Sequence, residues 1–285
     1  MTKIEWTDET WNPVVGCSVV SPGCTNCYAM RQGPRLAANP KTPQYQGLTE
    51  PSKAGPVWNG KVAFAEHLLD KPLRWRRPRR VFVNSMGDLF HEAVPDEWID
   101  KVFAVMALSP QHTFQVLTKR AERMRDYVTE VPDREDGIWP AAVEMAGLER
   151  ARTMPDQWPL PNVWLGVSAE DQTRADERIL VLLGTPAASR FVSYEPALGP
   201  VDLERGGFSL LRKVTSSTGK RWPGLDWIIA GGESGPRARP AHPDWFRALR
   251  DQCAAAGMPF FMKQMAKKRP IPADLMVRQW PGSAP

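Results

Sequence analysis

The chain has 285 residues, of which 42% are hydrophobic and 24% are charged, and its formal net charge is +5. This composition is typical of a folded globular protein and excludes fibrous and strongly disordered classes. The first segment, MTKIEWTDETW, lacks the apolar region of a secretory signal, and no run approaches 18 apolar residues. We therefore expect a cytoplasmic protein without a membrane partner.

Short β-rich runs alternate with segments of helical apolar spacing along most of the chain. Strands are predicted at 81–83, 114–117, 163–167, 190–192, 227–230 and 259–262, and helices at 96–108, 121–128, 175–183 and 243–256. Strands that are continuous apolar runs between helices indicate a buried parallel sheet. With a first strand near residues 12–16, about seven βα units result. This order predicts an α/β fold, a full or partial (β/α) barrel of the TIM type.

Two stretches interrupt the alternation of strands and helices. Residues 33–60 are rich in Pro, Gly and Lys, which predicts a loop with a short helix. Residues 131–161 carry five prolines around one helical segment at 141–152. We interpret both as insertions within a single domain that spans residues 1–285.

Polar or charged residues follow six of the predicted strands directly. The segments are NSMGD at 84–88, TKR at 118–120, SAED at 168–171, SYEP at 193–196, GGESG at 231–235 and KQ at 263–264. The carboxyl ends of parallel strands form one edge of an α/β fold, and ligands bind at that edge. The sequence therefore predicts the functional site there.

Three of the four cysteines, Cys17, Cys24 and Cys27, lie within eleven residues of one another. Three thiolates on one loop can bind three irons of a [4Fe–4S] cluster and leave the fourth iron open. An open iron can chelate the amino and carboxylate groups of S-adenosylmethionine (SAM) and deliver an electron to its sulfonium. The resulting 5′-deoxyadenosyl radical abstracts hydrogen atoms. A structural cluster usually has a fourth cysteine, and this loop has none.

A structural zinc site is the alternative use of the same cysteines, with Cys24 and Cys27 as half of a knuckle. The four histidines, at positions 67, 91, 112 and 242, have no clear knuckle spacing. The remaining cysteine, Cys253, is distant in sequence and is expected to face the core of a helix.

These motifs resemble a known family, the phage-type three-cysteine-motif proteins of unknown function, which are similar to the radical SAM superfamily and distantly to spore photoproduct lyase. The likeness covers most of the chain: IEWTDETWNPVVGC at 4–17, PGCTNCYA at 22–29, RRVFVNSMGDLFHEAVP at 79–95, LTKRAERM at 117–124, VWLGVSAEDQ at 163–172, FVSYEPALGPVDL at 191–203, LDWIIAGGESGPRARP at 225–240 and PFFMKQ at 259–264. The resemblance implies a radical SAM-type barrel, a [4Fe–4S] cluster and SAM as cofactors, and an electron donor as a partner. A phage-encoded member would act in the host cell cytoplasm.

The sequence departs from the usual radical SAM motif around the cysteines. The spacing is C-x6-C-x2-C where the superfamily has C-x3-C-x2-C. The aromatic residue that usually precedes the last cysteine is replaced by Asn26, and Tyr28 follows that cysteine instead. Binding of a cluster is therefore an expectation from the cysteines, and SAM cleavage is an expectation from the resemblance.

The resemblance also assigns residues that bind SAM. By order along the chain, Ser85, Gly87 and Asp88 take the place of the superfamily's Gly-Gly-Glu motif, which binds the SAM amino group. Asp88 is then the candidate partner of the SAM ammonium. The residues Gly231, Gly232 and Glu233 have the Gly-Gly-Glu sequence but follow a later strand, so we expect them to contact adenosine or the substrate.

The other strand-end residues receive roles in binding and catalysis. Lys119, with Arg120, is expected to bind the SAM carboxylate or a substrate phosphate. Ser168, Glu170 and Glu195 are expected to hydrogen-bond ribose or substrate hydroxyls. Lys263 is expected to be a cation near the cluster, and Lys119, Glu195 and Lys263 are the catalytic candidates. For each residue, a salt bridge at the barrel mouth is the alternative role.

Two basic clusters suggest an anionic partner. Residues 74–80 contain five arginines and Trp75, and Lys263, Lys267, Lys268 and Arg269 lie near the carboxyl terminus. They predict phosphate contact, with stacking on bases, or else a solvated surface. The leading functional hypothesis is a radical SAM-like enzyme that acts on a nucleotide or nucleic acid, in phage DNA modification or repair. The alternatives are a non-catalytic nucleic-acid-binding protein stabilised by zinc or an Fe–S cluster, and an Fe–S enzyme acting on a small metabolite.

Overall fold

The computed structural model describes residues 4–133, 137–204, 209–212, 214–215, 221–235 and 237–282. Their strands are β1 Glu9–Trp11, β2 Val14–Val15, β3 Thr49–Ser52, β4 Gly55–Trp58, β5 Ala63–Phe64, β6 Arg80–Val83, β7 Thr113–Thr118, β8 Val163–Ser168, β9 Ser189–Tyr194, β10 Val214–Thr215, β11 Arg221–Trp222, β12 Trp227–Gly231 and β13 Phe260–Gln264. Their α-helices are α1 Tyr28–Ala37, α2 Asp96–Ala107, α3 Ala121–Glu130, α4 Ile138–Ala146, α5 Leu148–Ala151, α6 Gln172–Leu183 and α7 Pro243–Ala255. Short 3₁₀ turns span Pro22–Cys24, Pro43–Tyr45, Glu66–Leu68, Lys71–Arg74, Val131–Asp133, Ala266–Lys268 and Ala273–Leu275.

The main sheet contains seven strands in the order β1, β6, β7, β8, β9, β12, β13. Strand β6 pairs in parallel with β1 and β7, and β12 pairs in parallel with β9 and β13. The predicted α/β class with a parallel sheet is therefore confirmed, and the strand order is compatible with a partial (β/α) barrel. The radical SAM type of barrel stays a prediction. Within the described part of the chain, no helix is long and apolar enough to cross a membrane.

The chain divides into two compact units. The first unit comprises residues 1–164 and 186–188, and the second comprises residues 165–185 and 189–285. The division falls inside β8, so it follows no linker. The first unit contains β1 to β7 and α1 to α5, and the second contains β9 to β13, α6 and α7.

The core of the first unit forms on β1, β6 and β7. The apolar side chains of Val81, Val83 and Phe114 are buried, as the continuous apolar runs predict. The Trp11 ring lies 5.8 Å from that of Phe114, centroid to centroid. Packing of these side chains fixes the strands whose carboxyl ends carry the cysteine loop and Asp88.

The core of the second unit is a row of aromatic side chains on its parallel strands. The Trp227 ring lies 6.0 Å from that of Phe191 and 6.1 Å from that of Phe261, centroid to centroid. Gly166 is necessary for this packing, because a Cβ atom there would lie 2.5 Å from the Phe191 ring. Burial of these rings positions the carboxyl ends of β9, β12 and β13.

The first strand of the sheet precedes the predicted position at residues 12–16. Strand β1 ends at Trp11, whose carbonyl accepts a hydrogen bond of 2.7 Å from the Asn84 N–H. Pro13 ends the pairing of this strand, because proline has no N–H to donate to the sheet. Strand β2 instead pairs antiparallel with β5. The first strand of the main sheet is therefore β1, and its predicted position at residues 12–16 was wrong.

The two predicted insertions contain more regular structure than expected. Residues 33–60 hold the end of α1, a 3₁₀ turn and the antiparallel hairpin of β3 and β4. The helix predicted at 141–152 is two helices, because Gly147 has a φ of 80°, which interrupts a right-handed helix. Part of the second insertion, residues 134–136, lies outside the described residues.

Candidate functional site

The three cysteines lie on the loop that joins β2 to α1, in the first unit. Cys17 and Cys27 pack against one apolar cluster, formed by Val15, Ala29, Met30, Tyr45, Leu48, Trp58 and Met86. Cys24 ends the 3₁₀ turn, and its Sγ lies 3.9 Å from the Ser21 hydroxyl. Cys27 directly precedes α1. The apolar cluster therefore shields two of the three sulfurs from water on one side.

The environment of Cys17 and Cys27 favours the protonated form of these two thiols in the metal-free protein. Burial, with a smaller contribution from Asp88, raises the pKa of Cys17 to about 12, and the Arg120 cation opposes this rise. Burial also raises the pKa of Cys27, which the backbone N–H groups of Met30 and Ala29 and the Lys119 cation oppose. A metal would have to displace these protons. The Arg120 and Lys119 cations and the amino end of α1 would then stabilise the thiolates.

The residue types fit a three-thiolate cluster, whereas the positions of the sulfurs are not those of an assembled ligand set. No three His, Cys, Asp or Glu side chains among the described residues lie close enough together to hold a metal ion. Cys24 and Cys27 nevertheless both raise the pKa of Cys17 electrostatically, so the three thiols share one neighbourhood. Binding of a cluster would therefore require the loop to draw its sulfurs together.

Asp88 and Arg120 form a buried ion pair beneath the cysteine loop. The Asp88 Oδ1 accepts hydrogen bonds from the Thr118 hydroxyl at 2.7 Å and the Phe90 N–H at 3.0 Å. Its Oδ2 accepts from the Lys119 N–H at 3.2 Å and from Arg120 Nη1 at 3.0 Å. A carboxylate accepts about four hydrogen bonds, so an added ammonium would have to displace one of these donors.

Arg120 connects this ion pair to the cysteine loop. Its Nη1 lies 3.7 Å from the Cys17 Sγ, and its Nη2 donates to the Ser18 hydroxyl at 2.6 Å. Its Nε donates to the exposed Glu92 at 2.8 Å. Burial lowers the pKa of Arg120, but the neighbouring Asp88, Cys17 and Glu92 raise it on balance. The guanidinium is therefore a fixed cation directed at a predicted ligand of the cluster.

Ser85 and Gly87 connect β6 to the cysteine loop through close backbone contacts. The Ser85 hydroxyl donates to the Asn12 side chain at 3.0 Å, and its carbonyl accepts from the Tyr28 hydroxyl at 2.6 Å. A Cβ at Gly87 would lie 3.0 Å from the carbonyl oxygens of Gly16 and Val14. These contacts give both residues a role in positioning the loop, and their predicted contact with SAM stays a prediction.

In the second unit, the catalytic candidates Glu195 and Lys263 form an ion pair. The Lys263 Nζ lies 2.5 Å and 2.7 Å from the two carboxylate oxygens of Glu195, and both side chains are half-buried. The Gln264 side chain donates to the same carboxylate at 3.4 Å. Gly231 packs against this carboxylate, since a Cβ there would lie 3.3 Å from its carbon. The structure thus brings together Glu195, Gly231 and Lys263, which are distant from one another in sequence.

The other two carboxylates of the predicted site in the second unit, Glu170 and Glu233, each pair with an arginine. The fully buried Glu170 accepts from Arg178 Nη1 at 3.0 Å, and the same nitrogen donates to the Ser168 carbonyl at 2.8 Å. Glu233 accepts from the Arg239 side chain at 2.7 Å and from its N–H at 2.8 Å. Salt bridges, the alternative role in the sequence, are therefore present at both carboxylates, and their contacts to a cofactor stay a prediction.

Gly232 permits a close backbone approach rather than providing an open surface. A Cβ at Gly232 would lie 2.3 Å from the backbone nitrogen of Ala266, and its own N–H donates to the Gln264 carbonyl at 2.8 Å. The Glu233 carbonyl accepts from the Lys267 N–H at 3.0 Å. The Gly-Gly-Glu segment is therefore held tightly against the turn that follows β13.

In the comparison with protein families, residues 1–279 match a family described as proteins of unknown function. The chain belongs to the DUF5131 family. Neither the curated proteins nor the solved structures contain a match to it. The similarity to radical SAM proteins and to spore photoproduct lyase therefore stays a prediction from the sequence.

Sequence reasoning missed several residues that complete the site of this DUF5131 protein. Ser18 and Asn12 anchor the loop, and His91 lies 3.0 Å from the Ser18 hydroxyl. Arg178 and Arg239 neutralise the carboxylates of Glu170 and Glu233, for which no partner was predicted from the sequence. Glu170 and Arg178 lie eight residues apart on opposite sides of a helix start, so no helical spacing relates them. For Glu233 and Arg239 as well, only the folded loop brings the charges together.

Proposed function

We propose that this DUF5131 protein is a radical SAM-like iron–sulfur enzyme acting on a nucleotide or nucleic acid, in phage DNA modification or repair. The observation that carries the proposal is a set of three cysteine thiols on one loop with a buried arginine directed at the first of them. Bound there, a [4Fe–4S] cluster would supply an open iron for SAM and the electron for its reductive cleavage. Cys17, Cys24 and Cys27 would hold the cluster.

The residues around the loop support this use of the cysteines. Arg120, with Asp88 fixing its orientation, places a cation beside the Cys17 sulfur. The amino end of α1 and the Lys119 cation act in the same direction on Cys27. Such contacts to a ligand sulfur stabilise the thiolate and tune the metal site. The apolar cluster beneath the loop restricts access of water.

In the second unit, the half-buried pair of Glu195 and Lys263 is the best candidate for contact with the substrate. Its charges lie at the carboxyl ends of β9 and β13, where α/β folds bind ligands. A half-buried ion pair can exchange one partner for a substrate hydroxyl or phosphate at low cost compared with a fully buried pair. Glu170 and Glu233 are less exposed and would act by positioning the loops.

A second candidate function is a non-catalytic nucleic-acid-binding protein stabilised by zinc or an iron–sulfur cluster. It is favoured by the pairing of Glu170, Glu195 and Glu233 with cations. A protein that binds nucleic acid without catalysing a reaction would contain such ion pairs as well. The two functions differ in whether SAM is consumed.

Formation of 5′-deoxyadenosine separates the two candidates. Protein purified without oxygen is incubated with SAM and dithionite, and the products are quantified by chromatography. The radical SAM proposal predicts 5′-deoxyadenosine from the wild type and from Cys253→Ala, and none from Cys24→Ala. An iron-loaded wild type that leaves SAM intact would contradict the proposal and favour the binding protein.

A further inference from the structure

The segment from Lys71 to Arg80 carries six cationic side chains at one edge of the first unit. It runs from a 3₁₀ turn into the amino end of β6. The cysteine loop and Asp88, by contrast, follow the carboxyl ends of β1 and β6. In a parallel sheet, the amino ends of the strands lie together on one side and the carboxyl ends lie together on the opposite side. The basic segment is therefore separated from the candidate metal centre by the length of β6.

Half of these six cations are neutralised by carboxylates. Arg74 pairs with Asp70. Arg79 pairs with Glu9 at 2.8 Å, and Arg80 pairs with Asp8 at 3.0 Å. The two arginines at the centre of the segment, at positions 76 and 77, are exposed and make no ion pair among the described residues. The edge therefore presents two adjacent guanidinium groups to solvent with their charges uncompensated.

Trp75 anchors the segment to the body of the unit. The Lys71 Nζ lies 5.5 Å and the Arg79 guanidinium carbon 5.2 Å from the centroid of its ring. The His112 ring packs against the indole in a T-shaped arrangement at 5.6 Å, centroid to centroid. The indole is thus covered by the protein's own cations and is a poor platform for stacking of a base. Contact with a partner then depends on the arginines.

We infer that this edge, with Arg76 and Arg77 at its centre, docks the phosphate backbone of duplex nucleic acid. Guanidinium groups bind phosphate oxygens in a forked geometry and need no base contact for affinity. The covered tryptophan argues against a single-strand site, which needs stacking platforms. The inference rests on the nucleic-acid part of the proposed function and is independent of the cluster.

An anionic membrane is the other surface that exposed arginines could bind, but the segment lacks the apolar side chains that enter a bilayer. Among the residues that the structure describes, the large hydrophobic side chains that are exposed lie elsewhere, at positions 19, 20, 28, 139, 148, 180 and 276. Trp75 and Leu73 are half-buried. The surface is therefore suited to phosphate contact and not to insertion of apolar groups.

Because the basic segment and the cysteine loop lie at opposite ends of the same strands, the phosphates held at Arg76 and Arg77 do not contact the candidate metal centre. The docking surface would act as a sequence-independent anchor that raises the local concentration of the substrate. Loss of the anchor should weaken binding of every duplex to a similar extent. It should leave the iron content unchanged.

The test is the binding of a fluorescein-labelled, mixed-sequence 20-base-pair DNA, measured by fluorescence anisotropy at several salt concentrations. The variant Arg76→Ala/Arg77→Ala is compared with Arg150→Ala/Arg152→Ala, which removes two exposed arginines from α5 and the turn after it. We expect the first variant to bind about tenfold or more weakly and its salt slope to fall by about 2, since each lost phosphate contact removes about 1. The control should bind as the wild type does.

Equal affinity and equal salt slope for the wild type and Arg76→Ala/Arg77→Ala would overturn the inference. Loss of binding in Lys267→Ala/Lys268→Ala alone would overturn it too, since the second basic cluster would then be the docking surface. Binding of the wild type to phosphatidylserine vesicles but not to the DNA would do the same in favour of a membrane. Iron is measured on each sample, so absence of a cluster contradicts the proposed enzyme without affecting this test.

Discussion

The sequence predicts a chemical role for some side chains of this protein. Other side chains hold these functional residues in place. Asp88 and Arg120 follow different strands, and both are buried beneath the cysteine loop. The strand-end position of each residue is visible in the sequence. Their mutual contact is not, because it depends on the register of β6 with β7. The contact between Glu170 and Arg178 is not visible either, because Glu170 precedes α6 and Arg178 lies within that helix.

Removal of the Arg120 charge should destabilise the fold strongly. Arg120→Gln leaves the buried Asp88 carboxylate without its cation, and breaking a buried pair costs about 3–5 kcal/mol. Urea unfolding of the metal-free protein measures this loss. Arg152→Ala is the matched control, since its pair with Glu149 is exposed and should cost about 0–1 kcal/mol. An equal, small loss for both variants would show that the buried pair is not a structural element.

His112 should make stability depend on pH in the mildly acidic range. Burial lowers its pKa in the folded protein, with Arg79 acting in the same direction, so the unfolded chain binds the proton more readily. The contribution of His112 is complete above the unfolded pKa of about 6.5 and is lost as the pH falls towards the lower folded value.

The measurement is the free energy of unfolding in urea between pH 5 and pH 8. His112→Gln should reduce the acid-side slope relative to the wild type. A variant His112→Gln with the full wild-type slope would contradict this assignment. The second buried histidine, His91, also has a lowered pKa and accounts for a residual slope.

At the scale of elements, apolar runs predicted the strands well, and turn chemistry decided where the prediction failed. The runs at β6, β7, β8, β9, β12 and β13 are buried as expected. The valines after Pro13 have a strand composition but pair in a separate two-stranded ribbon. Helix α1 was not predicted, because its sequence, YAMRQGPRLA, contains Gly33 and Pro34. Packing of the helix on β3 and β4 outweighs its low helix propensity.

Gly232 packs against the turn after β13, so we expect a single added methyl group there to lower the stability of the protein. Gly232→Ala would place a Cβ 2.3 Å from a backbone nitrogen, and overpacking of this kind costs about 1–3 kcal/mol. Gly184→Ala is the control, because it ends α6 with its nearest contact at 3.5 Å and should change stability by less than about 1 kcal/mol. Thermal unfolding of both variants measures the difference. Equal stabilities would contradict the close approach at Gly232.

At the scale of the whole molecule, the sequence predicts an α/β chain with polar strand ends, and the structure adds how the charges at those ends are used. Each compact unit holds its own set: the cysteine loop with Asp88 and Arg120 in the first, and three carboxylate–cation pairs in the second. The division inside β8 could not be predicted, because it falls within a continuous apolar run and not within the proline-rich stretch at 131–161 that precedes it.

The central claim is that Cys17, Cys24 and Cys27 together bind an iron–sulfur cluster. The most direct measurement is the iron and acid-labile sulfide content per chain after purification without oxygen. We predict about four irons for the wild type and for Cys253→Ala, whose cysteine is buried on α7, and almost none for Cys17→Ala/Cys24→Ala/Cys27→Ala. One zinc per chain and no iron in the wild type, or equal iron in all three proteins, would contradict the account.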